Sequence, residues 1–129
     1  MAPEQSGPAA PSRARREELA RQYYQLVDAE DFPAMHDLFT DDCVYERPGY
    51  DPLRGRAQME TFYSGTRVIA SGSHRIDELL VDGDKVAVHG VFTGTLRDGS
   101  ASEVGFADFF TYAGDKVAHR RSFFFRPAV

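Results

Sequence analysis

Hydrophobic positions repeat along the chain with two different periods, first at helical spacing and later at every second residue. Between residues 12 and 29, Leu19, Tyr23 and Leu26 fall on one helix stripe, while arginine and glutamate crowd the first turns. This spacing predicts a helix over residues 12–29 that buries one face.

Two further helices and one strand are predicted between residues 31 and 70. A short helix, bounded by breaks at residue 31 and at residues 41–42, carries the apolar residues Met35, Leu38 and Phe39. The stretch "CVYER" predicts a short strand that ends at Pro48. A third helix is predicted from about residue 56 to just before "SGS", with apolar residues at helical spacing, namely Met59, Phe62 and Tyr63.

After residue 73 the period changes to two. The segments "HRIDELLVD", "KVAVHGVFTGTLR", "SASEVGFADFFTY" and "KVAHRRSFFFR" predict four strands, and Gly-Asp, Asp-Gly and Ala-Gly-Asp turns join them. Helices followed by a run of hairpins predict an α+β domain in which the helices cover one face of an antiparallel sheet.

The hairpin turns predict which residues lie opposite Asp108. Counting outward from a two-residue Asp98-Gly99 turn places His89 directly across from Asp108, within hydrogen-bonding reach. A three-residue loop at 113–115 would place Arg120 on the other side of Asp108. A two-residue turn there would instead bring Arg121 opposite Asp108 and turn Arg120 to the other face.

The face of the sheet that carries Asp108 is predicted to be the more apolar one. Its predicted members, besides Asp108, are Val104, Phe106, Phe110 and Tyr112, with His89, Val91 and Thr93 across the hairpin. Ionisable groups that converge on apolar walls are the arrangement that general acid–base catalysis requires. Whether Asp108 is charged at neutral pH depends on the balance of burial against neighbouring cations.

Composition and charge narrow the class of protein. The 129 residues are 42% hydrophobic, which fits one domain, predicted over residues 13–129 behind a disordered tail at 1–12. A net charge of −5 and the lack of a basic tract argue against nucleic-acid and membrane-surface partners. The single cysteine, Cys43, excludes an intrachain disulfide and fits a reducing cytoplasm. His36, His74 and His119 lack metal-ligand spacing.

Several motifs together resemble one superfamily. They are "YYQLVDAEDF" in helix one, "FTDDCVYERPGY" around the first strand, "LRG" before helix three and "VGFADFFTYAGDKVAHRRSFFF" at the end. Over residues 13–126 they are similar to the nuclear transport factor 2 superfamily, and within it to ketosteroid isomerase and the SnoaL-like polyketide cyclases. The resemblance implies a cone-shaped domain with three N-terminal helices on a curved, mostly antiparallel sheet.

The resemblance also implies roles for individual residues. Tyr23 matches the helix-one tyrosine that donates to the substrate oxyanion in ketosteroid isomerase. Asp108 matches the aspartic acid that this enzyme keeps protonated in an apolar site so that it can donate a hydrogen bond. Arg47 stands where the isomerase has its general base, and an arginine cannot accept a proton at neutral pH, so steroid isomerisation is not expected. The cyclases combine a strand aspartate with a nearby histidine, as Asp108 and His89 would.

The leading hypothesis is a cofactor-independent cyclase or isomerase that moves a proton on an apolar, carbonyl-containing, polyketide-like metabolite. Asp108, His89 and Tyr23 would be catalytic, and the predicted substrate-binding residues are Arg120, Arg47, Phe106, Phe110, Val91 and Phe62. One alternative is a non-catalytic ligand-binding or dimerisation domain. A third hypothesis is epoxide hydrolysis by an Asp/Arg/Asp triad, of which Asp108 and Arg120 would supply two members.

Outward-facing phenylalanines at 109, 123 and 125 predict a homodimer through the outer face of the sheet.

Overall fold

A computed structural model describes residues 11–67 and 69–126. The helices are α1 (Arg13–Asp28), α2 (Phe32–His36), α3 (Gly55–Thr61) and a π-helix directly after it (Phe62–Thr66). The strands are β1 (Phe39–Glu46), β2 (Leu53–Arg54), β3 (Ile69–Asp82), β4 (Lys85–Leu96), β5 (Ala101–Ala113) and β6 (Lys116–Phe124). The disordered tail predicted at residues 1–12 lies almost wholly outside the described residues. None of the described helices has the length and apolar character needed to cross a membrane.

The six strands form one curved sheet in the order β2-β1-β6-β5-β4-β3. The β1–β6 pair is parallel and the other pairs are antiparallel. Helix α1 packs on β3 and α3 packs on β1, so the helices cover one face of the sheet and enclose the core. The predicted α+β class, with helices on a mostly antiparallel sheet, is confirmed.

The first strand is longer than predicted. Phe39 belongs to β1 rather than to the short helix, and Asp41 and Asp42 lie within the strand instead of ending it. The predicted break is wrong because this stretch is where the β1–β6 register shifts and the aspartates point to solvent. Asp41 is paired there with Arg56 at the start of α3, at 3.2 Å.

Strand β3 also begins earlier than predicted, since "SGS" is part of it. A bulge between Ile76 and Glu78 bends β3 toward β4, and Gly90 lies at the bend. A Cβ on Gly90 would come within 1.8 Å of the carbonyl oxygen of Arg75. Only glycine therefore allows the two backbones to approach so closely at this point.

The β4–β5 register differs by one residue from the predicted one. A two-residue type I′ turn needs positive φ at both central residues, but Gly99 has φ +89° and Asp98 does not share this conformation. The loop is therefore three residues long, with the Leu96 N–H bonded to the Ser100 carbonyl. As a result Val88, not His89, lies opposite Asp108.

The β5–β6 hairpin matches neither of the two predicted registers. Its turn has two residues, but an irregularity beside Ala118 adds one residue to β6. Asp108 lies opposite Ser122, and Arg120 lies opposite Phe110 on the same face. The extra residue keeps Arg120 on the inner face, so the predicted proximity of Arg120 to Asp108 is confirmed by a diagonal contact.

Candidate functional site

Asp108 lies in the middle of β5, on the face that the helices cover, and is 1% exposed. Three side chains donate hydrogen bonds to its carboxylate. The Tyr24 hydroxyl of α1 donates to Oδ2 at 2.5 Å, the Arg120 Nη2 of β6 donates to the same oxygen at 2.9 Å, and Ser122 Oγ donates to Oδ1. Every one of these partners stabilises the charged form of the carboxyl group.

Burial on its own raises the pKa of Asp108. The Arg120 guanidinium and the hydrogen bonds from Arg120, Ser122 and Tyr24 outweigh burial and hold the pKa below its ordinary range. Asp108 is therefore ionised at neutral pH. The sequence leaves the charge of Asp108 open, and the structure favours the ionised form because Arg120 lies beside the carboxylate, whereas an apolar site keeps the matching aspartic acid of ketosteroid isomerase protonated.

A chain of hydrogen bonds leads from Arg120 to two tyrosines. Arg120 Nη1 donates to the Tyr23 hydroxyl at 2.6 Å and to the Tyr63 hydroxyl at 3.5 Å, and the two hydroxyls are 3.1 Å apart. Burial raises the pKa of Tyr23 well above its ordinary value. Burial also raises the pKa of Tyr63, but the guanidinium groups of Arg120 and Arg67 and the bond from Tyr23 reverse this and lower it.

The directions of these bonds leave one proton unused. Arginine only donates, so Tyr23 and Tyr63 both accept from Arg120. When Tyr23 donates to Tyr63, the Tyr63 hydroxyl hydrogen has no partner within the chain of bonds. Either hydroxyl can be the donor across this contact, and in the arrangement in which Tyr23 donates, the Tyr63 O–H is the one available to a bound molecule.

Arg47, in the loop after β1, extends the network on its other side. Its Nη1 donates to the Tyr45 hydroxyl at 3.0 Å, and that hydroxyl is 2.9 Å from Ser122 Oγ, a partner of Asp108. The Phe62 ring centre lies 5.3 Å from the guanidinium carbon of Arg47. The predicted site residues Arg47 and Arg120 are thus both buried and linked to Asp108 through side-chain hydrogen bonds.

A small inner cavity lies between α1, the π-helix and the sheet. Its lining consists of Tyr23, Val27, Arg47, Tyr63, Arg67, Ile69, His74, Phe92, Phe106, Asp108, Arg120 and Phe124. Its volume is about 20 Å³, room for about one water molecule. A substrate with several carbon atoms can therefore enter only if lining side chains move.

An open groove adjoins the inner cavity and is called the mouth groove here. Its volume is about 440 Å³, within the range of ligand pockets, and its lining consists of Glu30, Phe32, Tyr63, Arg67, Ile69, Ala70 and Arg97. Tyr63, Arg67 and Ile69 line both spaces. These three side chains form the partition between the groove and the cavity.

Four of the predicted site residues do not line the cavity, and two of these, His89 and Val91, lie on the other face of the sheet. His89 points to the outer face of the sheet, where its ring is half exposed and Nε2 is 2.8 Å from Glu78. Val91 has the same strand parity and also lies outside the cavity. The prediction that His89 faces Asp108 is wrong because the three-residue turn shifts the β4–β5 register by one residue. This shift places His89 and Val91 on the face of the sheet opposite to that of Asp108. Phe106 lines the cavity, while Phe110 and Phe62 pack behind it.

A different histidine does line the cavity. His74 of β3 bonds through Nδ1 to Asp28 Oδ1 at 2.6 Å, and its backbone N–H donates to Asp28 Oδ2 at 2.9 Å. The His74 ring centre is 5.0 Å from that of Tyr24. The bond to Asp28 fixes the ring and leaves Nε2 with no hydrogen bond to residues 11–67 or 69–126.

Several residues of the site were not predicted, and they differ in whether the sequence contains a signal for them. Tyr24 and Asp28 are four residues apart on α1, so helical spacing places them on one face beside the predicted stripe. Ser122 shares strand parity with Arg120. The helical spacing of Tyr63 with Met59 marks it as an apolar helix position and not as a site residue, and nothing in the local sequence marks Arg67. Within the described ranges, no group of three His, Cys, Asp or Glu side chains is placed to hold a metal ion.

Solved structures with the same fold include several enzymes. The epoxide hydrolase/cyclase-like enzyme SalBIII, which has a role in pyran ring formation in the polyether salinomycin, matches with a TM-score of 0.78 and 24% identity over 88% of this chain and 92% of that one. An LEH-like epoxide hydrolase of M. tuberculosis matches with a TM-score of 0.77 and 18% identity over 88% and 85%. A Jannaschia protein described as a SnoaL-like polyketide cyclase matches with a TM-score of 0.76 and 18% identity over 93% and 92%.

At these identities the structural matches show a shared fold. A search of curated proteins found no match. The family model of the SnoaL-like domain matches residues 20–120, which span α1 to β6 and include Tyr23, Tyr24, Asp108 and Arg120. The chain therefore belongs to the SnoaL-like domain family.

Proposed function

We propose that the protein is an enzyme that moves a proton on a small, apolar, carbonyl-containing substrate, in a cyclisation or isomerisation of a polyketide-like molecule. The observation that carries this proposal is the buried, ionised Asp108 beside Arg120 and two tyrosine hydroxyls, all bordering one cavity with aromatic walls. An ionised carboxylate is a proton acceptor, and the neighbouring donors suit the oxygen on which charge develops.

Asp108 acts as the base in this proposal. It removes a proton from the carbon next to the substrate carbonyl, and the electron pair moves to the carbonyl oxygen as an enolate. Because the pKa of Asp108 is lowered, the reaction suits substrates whose α protons are already acidified by an aromatic ring or a second carbonyl. The aromatic walls, among them Phe92 and Phe106, fit the apolar body of such a molecule.

Tyr63 donates to the enolate oxygen, and Tyr23 and Arg120 support it from behind. When Tyr23 donates to Tyr63, the chain of bonds from Arg120 ends on Tyr63, so its proton is the one that a ligand can accept. Asp108 then returns the same proton to the substrate at another carbon, which restores the carboxylate, while His74, oriented by Asp28, lines the cavity beside the substrate. Entry requires the partition formed by Tyr63, Arg67 and Ile69 to open.

The proposal predicts that the protein catalyses proton exchange on a simple ketone. The probe is 2-tetralone, an aryl-fused ketone, incubated in D2O and followed by loss of its benzylic α-proton NMR signal. We expect wild-type protein to accelerate the exchange, and Tyr63→Phe to slow it about 100-fold because one oxyanion donor is removed. Tyr112→Phe is the matched control, since Tyr112 is a buried tyrosine of β5 whose hydroxyl has no partner and does not line the cavity.

The alternative of a non-catalytic binding domain gives a different result. Such a domain would bind the ketone without exchanging its protons, and Tyr63→Phe would alter only the dissociation constant. Equal exchange rates for wild-type protein and Tyr63→Phe would also contradict the proposed role of this hydroxyl. Epoxide opening by an Asp/Arg/Asp triad is not proposed, because Asp108 is the one carboxylate among the described residues of the inner cavity.

We also propose that the outer face of the sheet forms a homodimer. Leu80, Phe109 and Phe123 lie on this face and are 62%, 51% and 45% exposed, and the two phenylalanine rings are 5.8 Å apart. An exposed apolar patch of this kind is typical of an interface.

Phe109→Glu is expected to convert the dimer to a monomer, because it removes an apolar ring from the centre of the patch and adds a charge that dimerisation would take out of water. Sedimentation equilibrium measures the mass, and 14.4 kDa is expected for the variant. Ala101→Glu, on the same face of β5 but at its far end, serves as the control. A wild-type mass of 14.4 kDa at all protein concentrations would contradict the dimer.

A further inference from the structure

Arg67 lies at the boundary between the inner cavity and the mouth groove and has no acidic partner. It is 6% exposed, and no carboxylate within residues 11–67 or 69–126 forms an ion pair with it. Its Nε atom is buried and makes no hydrogen bond to the part of the chain that the structure describes. The guanidinium carbon lies 5.2 Å from the Tyr63 ring centre and 5.9 Å from that of Phe32.

A buried guanidinium of this kind is costly to keep. Removing an arginine from water costs several kcal/mol unless a carboxylate and hydrogen bonds compensate for the lost hydration. The two aromatic rings offset only part of this desolvation cost, because each favourable cation–π contact contributes about 0.5–2 kcal/mol. Arg120, by contrast, has Asp108 and Tyr23 as partners. Arg67 therefore has unused capacity for an anion.

The neighbouring charges decide whether Arg67 attracts an anion. Arg67 and Arg120 line the inner cavity with Asp108 as the one carboxylate among its described residues, and Asp108 is paired with Arg120, so the positive charge of Arg67 is not balanced by a described lining residue. The mouth groove contributes Arg97 and Glu30, which balance each other. An anionic group in the groove would therefore be drawn to Arg67, at the partition, without meeting a net opposing charge.

We infer that Arg67 binds a carboxylate of the substrate, so that the acidic end of the molecule occupies the mouth groove while its ketone reaches Asp108 and Tyr63 in the cavity. This inference rests on the proposed proton transfer for the position of the ketone, and it defines the substrate class as a keto acid with an apolar body. The planar fork of a guanidinium matches the two oxygens of a carboxylate. Tyr63 lines both spaces, so the two ends of one molecule can be held together.

A matched pair of probes tests the inference. They are 6-carboxy-2-tetralone and its methyl ester, which differ in the charge at the end remote from the ketone. We expect calorimetry to show that wild-type protein binds the acid at least about tenfold more tightly than the ester, as a charge-assisted hydrogen bond would give. In Arg67→Met this preference falls to about twofold or less, while the affinity for the ester is unchanged.

Arg21→Met is the control, because Arg21 is an exposed arginine of α1 that lines neither the groove nor the cavity, and its loss leaves the preference intact. Thermal melting of Arg67→Met confirms that the variant is folded. Equal binding of the two probes by wild-type protein, or a preference that survives in folded Arg67→Met, would overturn the inference.

The same probes separate this inference from the proposed function. If the preference for the acid depends on Arg67 but neither probe exchanges its α protons, the proton-transfer proposal fails and the carboxylate site stands. If both probes exchange but bind equally well, the carboxylate site fails and proton transfer stands.

Discussion

Replacing Arg120 by methionine is expected to lower the free energy of unfolding by about 3–5 kcal/mol, which is the cost of leaving a buried charge without its partner. Asp108 is 1% exposed, and Arg120 is the one cation bonded to it in the described chain. Methionine has a similar length and apolar character, so the loss measures the uncompensated carboxylate rather than a cavity. Chemical denaturation at neutral pH gives the value.

Two further variants identify the charge as the cause. Adding Asp108→Asn to the Arg120→Met protein is expected to recover about 1–3 kcal/mol, because the amide is neutral and still accepts a hydrogen bond from Tyr24. Arg121→Met, on the adjacent exposed position of β6, is expected to change stability by less than about 0.5 kcal/mol. If the double variant were less stable than Arg120→Met alone, the uncompensated charge would not be the cause.

The stability that the pair supplies depends on pH in a defined direction. The pKa of Asp108 is lower in the folded protein than in the unfolded chain, so the pair stabilises the fold fully above the unfolded value of about 4. The contribution is lost as pH falls through the folded pKa. In Arg120→Met, burial raises the pKa of Asp108 without a compensating cation, so the stability difference between the two proteins should shrink as pH falls through that raised pKa.

Asp108→Asn is expected to slow proton exchange on 2-tetralone about 1,000-fold, since an amide has the shape of the carboxylate but cannot accept the α proton. The amide keeps one acceptor oxygen for Tyr24, and its NH2 group can donate to the Ser122 hydroxyl on the other side, so the network that positions the tyrosines is largely retained. Binding of the ketone should change little, which separates a catalytic role from a structural one.

Asp115→Asn provides the matched control for this variant. Asp115 lies in the exposed β5–β6 turn and is far from the cavity lining, so its exchange rate should equal that of wild-type protein. Near-wild-type exchange by a folded Asp108→Asn protein would remove Asp108 from the chemistry and leave it as a structural ion pair with Arg120.

The sequence predicts which faces are buried better than it predicts which residues are opposite one another. Alternation along β5 correctly places Asp108 and Phe106 inward and Phe109 outward, because a two-residue period survives any turn. Register depends on the turn. Asp98-Gly99 fits a two-residue turn by composition, but Asp98 keeps a negative φ, and the resulting three-residue loop moves His89 to the outer face.

Contacts between distant segments are the part of the site that the sequence could not supply. Tyr24 and Asp108 are 84 residues apart, and His74 and Asp28 are 46 apart. No local pattern encodes either pair, because both depend on how α1 is placed across the curved sheet. The site therefore keeps the predicted Asp108, Arg120 and Tyr23, and its histidine is a different one from that predicted.

The dependence of ketone exchange on pH tests the central claim, that ionised Asp108 accepts the proton. We predict that the exchange rate of wild-type protein is constant from about pH 8 to pH 5 and falls only below the ordinary aspartate range near pH 4. In Tyr24→Phe, which removes one hydrogen bond that stabilises the carboxylate, the acidic fall should move to higher pH. A fall that begins well above the ordinary aspartate range and that Tyr24→Phe leaves unchanged would contradict the claim.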